Sequence, residues 1–533
     1  MDDVATQHAE PAAELGAAPS GSAAPGLLAV VGGLVAGAVT VGAAEFFAGI
    51  VLRLGWSDGT PSPVLAVGGA FIDRTPAWLK TFAVDNFGTR DKQVLLAGVA
   101  VVLTLLSLLI GWLSRRRFTA ALTVFVGLVA IAAGAVTSRP HAAFVDLAPL
   151  VIGAVLGLLT LHWWREHVVL AAGPADPGSA PTRRAALVGA GALIGAAVLA
   201  VAGRAWGNGT RAVQAARAAF VLPHVANPVT VPEGASVGVS GVTPYIVPSN
   251  DFYRIDTALV VPQVDPSSWK LRVTGMVHHE VEIDWQTLLS NSTQQAMITL
   301  MCVSNEVGGH LVGNTIWTGW PVRELLARAG VQPGADMVLS RSVDGFTAGT
   351  PLGALTDGRN ALIAIAMNGE ALPAEHGFPA RLVVPGLYGY VSATKWVTEL
   401  KVTTFAQDAG YWTPRGWSAR GPVKTSSRID VPRSGAKVAA GTVAVAGVAW
   451  HQHVGIAQVQ VRVDDGPWQD ARLGAAANVD VWRQWVYQWH ATPGHHTLTV
   501  RAVDDSGAIQ IAAPAPPAPD GSTGYHSISV SVR

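Results

Sequence analysis

Cysteine occurs once in this 533-residue chain, at Cys302. It closes the apolar run AMITLMCV and precedes the polar, glycine-containing stretch Ser304-Asn305-Glu306-Val307-Gly308-Gly309. A strand end that opens into a loop is where ligands are commonly met. A lone thiolate is a soft donor suited to a soft or redox-active metal, whereas most lone cysteines after a hydrophobic run are buried core residues. Both readings stand at this point. A single cysteine does exclude an internal disulfide, a four-thiolate zinc site and an iron–sulfur cluster.

Around Cys302, a folded domain starts near Asn250. Short apolar runs at Trp269 to Val273, Ala296 to Val303, Ala361 to Ala366 and Arg381 to Val384 predict strands, and Val322 to Ala329 predicts a helix, so the region is α+β in character. Before it, Arg211 to Pro248 is rich in Ala, Val, Pro and Gly without sustained helical period and reads as a tether that packs irregularly on the next domain. After about Thr425 only strands are legible: Val438 to Val448, Ile456 to Val463, Gln484 to Trp489, His496 to Val503 and His526 to Val532. Turns such as Asp464-Asp465-Gly466 space them, as in an immunoglobulin-like sandwich.

The amino-terminal half is of another kind. The chain is 50% hydrophobic and 14% charged, too apolar for a purely soluble protein. Apolar stretches at Gly26 to Leu52, Val94 to Leu113, Phe118 to Val136, Phe144 to Leu161 and Ala185 to Ala202 are each near the roughly 20 residues needed to cross hydrocarbon. Arg115, Arg116 and Arg117 lie between the second and third, and Arg165, Arg183 and Arg184 between the fourth and fifth, so both loops read as cytoplasmic. The amino terminus is then cytoplasmic, and everything after Trp206 lies outside a bacterial cell membrane. The fifth span opens Thr182-Arg183-Arg184 and continues through weakly hydrophobic Ala, Gly and Val. That pattern is similar to an internal twin-arginine signal, which marks domains exported already folded; an ordinary positive-inside anchor is the alternative. Glu45, costly to bury in the first span, marks a proton or partner site, or else faces a loop or neighbouring helix. The five spans hold His162 alone, at a helix end, which argues against an internal haem relay. Lys plus Arg and Asp plus Glu are equal at 36 each, so no global field recruits nucleic acid.

The expected division is therefore a disordered cytoplasmic segment at 1–25, a five-span bundle at 26–204, a linker at 205–248, an α+β domain at 249–424 and a sandwich at 425–533. Four blocks in the last two follow one another in a telling order: SNDFYRID (Ser249 to Asp256), LMCVSNEVGG (Leu300 to Gly309), WTGWPVRELL (Trp317 to Leu326) and MNGEALPAEHGFPARLVVPGLYGYVSATKWV (Met367 to Val397). In order and spacing this resembles the molybdopterin-binding domain of the sulfite oxidase family, and the terminal sandwich resembles that family's dimerisation domain. The resemblance covers roughly Asn250 to the carboxyl terminus; the membrane half lies outside it.

The resemblance implies a molybdenum–molybdopterin cofactor, with Cys302 binding the metal beside the dithiolene sulfurs of the pterin. It places the donors to the pterin and its phosphate on Asn250, Tyr253, Arg254, Ser342, His376, Arg381 and Lys395. A buried phosphate dianion needs such cations and fixed donors. Gly386 and Gly389 would let backbone approach the cofactor. Taken singly, Arg254 and Lys395 could be surface charges, His376 a turn residue and Asn250 a cap; as an ordered set with the cysteine they read as a site. Sulfite-oxidising members of the family carry arginines and a tyrosine around the oxyanion. Here those positions are Glu306, Phe346 and Asp520, which puts sulfite in doubt as the substrate.

The function implied is oxygen-atom transfer to or from a small oxyanion or S-oxide. Electrons would pass to a separate cytochrome or quinone-linked partner, because no haem or iron–sulfur cluster is expected in the chain. A reductase of S-oxides or N-oxides and a non-enzymatic membrane-anchored binding module are the alternatives. A homodimer is compatible with the sandwich.

Overall fold

The computed structural model describes residues 23–533 apart from 58, 77–78, 80–81, 83–85, 88–90, 141, 171–179 and 208–209. Most of the expected amino-terminal segment, residues 1–22, therefore lies outside the described residues, and the side chains of Arg183 and Arg184 do so too. The chain divides into two compact units. One comprises Met1–Ala70 and Gln93–Arg204, the other Phe71–Lys92 and Ala205–Arg533.

In the first unit and at its margins, five helices are long and apolar enough to cross a membrane: Gly26–Arg53, Lys92–Arg116, Phe118–Thr137, Phe144–Val169 and Ala186–Ala205. Small residues let the first and fourth approach closely. A Cβ added at Gly153 would stand 2.4 Å from the carbonyl oxygen of Thr40, so the glycine is what allows the two backbones this approach. Glu45 in the first helix is 2% exposed and meets neighbouring elements: Ser62 Oγ donates to Glu45 Oε1 at 2.6 Å and Arg204 Nε to Glu45 Oε2 at 3.3 Å. The carboxylate is thus compensated within the unit, the only arrangement apolar surroundings tolerate.

The second unit is built on sheets. Its α+β part holds β1 (Lys270–Gly275), β2 (Val281–Asp284), β3 (Gln294–Met301), β4 (Val312–Pro321), β5 (Met337–Ser342), β6 (Thr347–Pro351), β7 (Leu362–Met367), β8 (Glu370–Ala371), β9 (Arg381–Val383) and β10 (Val397–Thr403). These form one sheet of order β2-β1-β10-β5-β6 and another of order β3-β4-β7-β8, with β9 on β7. β3 and β7 are apolar runs buried on both faces, which is why they read as strands in the sequence. β4 was not expected: Asn314, Thr315, Thr318 and Gly319 interrupt its apolar pattern. It is nonetheless buried, since Asn314 Nδ2 bonds the carbonyl oxygen of Tyr245 and Thr299 Oγ1 bonds Asn314 Oδ1. The helix Val322–Ala329 buries Val322, Leu325, Leu326 and Ala329, one 3.6-residue stripe, and stops at Gly330 with φ of 68°.

The stretch expected to be an irregular tether packed on the next domain contains a helix, Thr210–Ala218. Its alanine-rich sequence favours helix, Val213 is buried in the core of the α+β part, and Arg217 Nε donates to the carbonyl oxygen of Leu372 at 2.9 Å.

Past residue 425 the chain is β-rich, as expected. Strands β11 (Ser426–Val431), β13 (Gly441–Trp450), β17 (Arg483–Ala491) and β16 (Arg472–Leu473) make one sheet. β12 (Ala436–Val438), β19 (His526–Val532), β18 (Gly494–Asp504), β14 (Ile456–Val463) and β15 (Gln469–Asp470) make the other. Val445, Ala449, Trp485 and Trp489 of the first share a core with Val459, Val461, Val500 and Val530 of the second. Arg428, on β11, joins this region to the residues after Cys302: it is 2% exposed, with Nε on Asp430 Oδ1 at 2.6 Å and Nη1 on the carbonyl oxygen of Gly309 at 2.7 Å.

Candidate active site

The fully buried end of strand β3 delivers Cys302 to the position just past Met301, where Cys302 N donates to the carbonyl oxygen of Leu311 at 2.9 Å. The residue is 8% exposed and lines a cavity of about 890 Å³ of empty space that opens to solvent. Burial pushes the pKa of its thiol up. Five more of the expected residues line the same cavity: Tyr253, Ser342, Arg381, Gly389 and Lys395. They come from the loop before β1, the end of β5, the start of β9, a short helix and the loop into β10, so the tertiary fold, not local sequence, assembles them.

Lys395 is 8% exposed. Its ammonium donates to Asp256 Oδ2 at 3.0 Å and to the carbonyl oxygen of Glu375 at 2.8 Å. Burial lowers its pKa to about 8, against the raising effect of Asp256. Asp256, whose side chain is 5% exposed, is shared by three cations, since Arg254 Nε donates to Oδ2 at 3.0 Å and Lys92 pairs with Oδ1. Burial opposes its ionisation, yet Lys395, Lys92 and Arg254 outweigh that and hold its carboxyl well below the usual range.

Arg381 is 4% exposed, with its guanidinium carbon 4.9 Å from the ring centre of Trp317 and Nη1 donating to the carbonyl oxygen of His376 at 3.1 Å. No carboxylate neutralises it among the contacts of the described residues, and burial lowers its pKa to about 10. Burial likewise lowers His376 to about 3, so its imidazole is neutral. Tyr253 is pushed up by burial and then by the charge at Cys302. Trp396, next to Lys395, holds a left-handed φ of 48°, uncommon for a bulky residue, fixed by its indole N–H on the carbonyl oxygen of Ala374 at 2.9 Å.

Asn250, Arg254 and His376 do not line the cavity. Asn250 is an exposed turn residue. Arg254 is turned onto Asp256, and His376 stands behind the wall with Nε2 3.1 Å from the carbonyl oxygen of Ser249 and its ring edge-on to Phe252. Gly386 does not line it either; its φ of 83° accounts for the glycine. Of the three substrate positions, Phe346 lines the cavity, while Glu306 is exposed outside it and Asp520 pairs with Lys424 at 2.8 Å. The charge repulsion expected from Glu306 is therefore not exerted from the cavity wall.

Residues to which the sequence analysis assigned no role complete the lining. Asp256 and Asp344 are its acids; burial raises Asp344, which accepts from Phe346 N at 3.2 Å. Tyr390, Trp412 and Trp417 form an aromatic wall with Phe346. The sequence signal for the two tryptophans was the aromatic cluster YWTPRGW at Tyr411 to Trp417, which no strand or helix pattern claimed.

Whether this cavity fits an anionic metal-bearing cofactor can be tested on its own atoms. His376 Nδ1 and Arg381 Nε are buried without a hydrogen-bond partner in the protein. Buried polar groups left that way are costly unless a ligand meets them. On the cavity side, the uncompensated guanidinium of Arg381 with its unpartnered Nε, Lys395 and the thiol of Cys302 make a set suited to a phosphate-bearing group that also needs a soft ligand.

A sequence model of the family "Oxidoreductase molybdopterin binding domain" matches residues 258–412, a stretch that contains Cys302, Ser342, His376, Arg381, Gly389 and Lys395. The mitochondrial sulfite oxidase of Rattus norvegicus is 27% identical over 315 residues, covering 50% of this chain and 57% of that protein. "Uncharacterized oxidoreductase YuiH" of Bacillus subtilis (strain 168) is 31% identical over 157 residues, 30% of this chain and 76% of that protein. The chain belongs to the molybdopterin-binding oxidoreductase family. It is an oxidoreductase, with sulfite oxidases among its relatives, and it spans 57% of the length of the first of them. Among solved structures, the sulfane dehydrogenase SoxCD of Paracoccus pantotrophus aligns with a TM-score of 0.46 at 22% identity, covering 57% of this chain and 87% of that one.

Proposed function

We propose that the chain is a membrane-anchored, molybdopterin-dependent oxidoreductase of the sulfite oxidase type that transfers an oxygen atom at a molybdenum centre ligated by Cys302. The observation that carries this reading is the meeting of Cys302 with Arg381 and Lys395 in one cavity. Bound there, the cofactor supplies oxygen-atom transfer coupled to molybdenum redox chemistry. The chain's own residues do the rest. Cys302 gives up a proton that burial otherwise retains, since a metal is bound by thiolate. Arg381 and Lys395 neutralise the anionic part of the cofactor, Ser342 and Tyr253 offer hydroxyl donors, and His376 stays neutral behind the wall, with its Nε2–H on the carbonyl oxygen of Ser249.

In this reading 26–204 spans a bacterial cell membrane five times, 205–248 links it to an extracytoplasmic catalytic domain at 249–424, and 425–533 is an immunoglobulin-like, dimerisation-type domain suited to a homodimer. Electrons leave to a separate cytochrome or quinone-linked partner. A second reading, reduction of an S-oxide, is favoured by the aromatic wall of Phe346, Tyr390, Trp412 and Trp417, which suits an apolar substituent on sulfur.

The test is the molybdenum and pterin content of the detergent-purified protein beside Cys302→Ser. About one molybdenum per chain in the wild type, with turnover abolished and the molybdenum spectrum altered in the variant, is the expected result. A folded wild type without metal from a molybdenum-replete host sinks the proposal, and unchanged activity in Cys302→Ser sinks the ligand assignment.

A further inference from the structure

Segment Phe71–Lys92 lies in sequence between two stretches of the helical unit, yet it belongs to the compact unit that holds the cavity. Both ends of it reach residues at the cavity wall. At one end Lys92 pairs with Asp256, which lines the cavity and holds Lys395. At the other, Tyr411 donates its hydroxyl to Asp73 Oδ1 at 2.8 Å, while its ring packs on Phe346 at 5.8 Å and on Trp412 at 5.1 Å, both of them lining residues. Two separate contacts thus tie one segment to the charged and the aromatic sides of the same site.

Asp256 is the point of leverage, because one carboxylate is shared by Lys92, Arg254 and Lys395. Without Lys92 the remaining two cations compete less for it, so Lys395 is drawn more firmly onto Asp256 and away from any anion in the cavity. The positive potential at that wall also falls by the charge of one ammonium. Lys92 side-chain exposure is 18%, so water screens this only in part.

We propose that Phe71–Lys92 is a working part of the catalytic unit and that Lys92 is a positioning residue. By sharing Asp256 it frees Lys395 toward the cavity and keeps the wall cationic enough to retain the anionic cofactor. This rests on the cofactor reading given above and adds that a segment outside the matched family region helps to hold the group.

The experiment compares full-length wild type, Lys92→Gln and Lys92→Arg in detergent, following loss of molybdenum and pterin over time by metal analysis and fluorescence, with melting of the cofactor-free forms alongside. Lys92→Gln is expected to lose cofactor about tenfold faster, beyond what the fall in cofactor-free melting temperature from removing one cation on the buried Asp256 accounts for, and Lys92→Arg to restore wild-type retention. Lys92→Gln that retains cofactor at the wild-type rate overturns the proposal while leaving the cofactor reading intact; a wild type that never carries molybdenum overturns the cofactor reading itself. Lysine acetylation of the wild type keeps the question open to refutation even where the variant does not accumulate. Lys92 and Lys395 are expected to be protected relative to the exposed Lys270 and Lys401, and labelling of Lys92 at the rate of Lys270 overturns the proposal.

Discussion

Replacing Arg381 by Met should separate a residue kept for a ligand from one kept for the fold. The guanidinium is 4% exposed, meets no carboxylate among its described contacts and makes one hydrogen bond, to the carbonyl oxygen of His376. Its pKa falls through burial to about 10, so holding it charged costs about 3 kcal/mol relative to the unfolded chain. The sign follows from its being a base with a depressed pKa: the cost operates in full at neutral pH and is relieved only as pH rises through about 10. Met fills most of the volume without the charge. It forfeits the bond to His376 and the stacking on Trp317, together about 2 kcal/mol. The cofactor-free variant is therefore expected within about 1 kcal/mol of cofactor-free wild type, or above it. Loading reverses the order, because a ligand bound only by the native state stabilises it by mass action and the variant has lost a main counter-charge. The assay is thermal denaturation of both proteins from cofactor-deficient and cofactor-replete hosts, with molybdenum measured on each. A cofactor-free Arg381→Met destabilised by more than about 2 kcal/mol would refute the reasoning, since the guanidinium would then be a structural group.

Two further outcomes complement this one and the tests already given for Cys302 and Lys92. His376 is held neutral down to about 3, whereas in the unfolded chain it protonates near 6.5, so the unfolded state binds more protons across that window and stability falls as pH drops through it. His376→Gln is expected to flatten the acid limb of melting temperature against pH between about 6 and 4; an unchanged slope would locate the acid sensitivity elsewhere. Arg183→Lys with Arg184→Lys is expected to leave the first four spans inserted and the catalytic domain on the cytoplasmic side, read by protease accessibility in spheroplasts. Normal export of that double variant would show the fifth span to be an ordinary anchor.

How far the sequence revealed the site depended on where each residue's information lay. Cys302, Arg381 and Lys395 stand in contiguous blocks, and the apolar runs beside the first two are legible as strands because β3 and β9 are buried on both faces. Asn250 and Arg254 stand in such a block too, but block membership says nothing about side-chain direction: one faces solvent and the other turns onto Asp256. Asp256 was passed over because an acid is an unlikely donor to an anion, and its role becomes visible only with three cations gathered on it from distant positions. β4 escaped because its polar residues are satisfied by partners far along the chain, including Tyr245. Hydrophobic length was enough to find the five apolar helices, with bounds close to those expected, since an apolar run of about 20 residues is a stronger signal in composition than any packing pattern.

The charge balance of the cavity bears on which substrate it admits. Among the described lining residues the ionisable cations are Arg381 and Lys395, and the acids are Asp256 and Asp344. Asp256 is spent on its cations, and burial favours the protonated form of Asp344. A phosphate-bearing cofactor takes up both lining cations, so an incoming dianion such as sulfite meets no unengaged positive group on the wall and faces a desolvation cost without compensation. A neutral S-oxide has no such cost, needs a single donor for its oxygen, and finds apolar surface at Phe346, Trp412 and Trp417 for its substituents. By this reasoning S-oxides precede sulfite in the order of substrates to assay. Faster turnover of sulfite than of any aryl or alkyl S-oxide would mean that Arg381 or Lys395 is left free for the substrate.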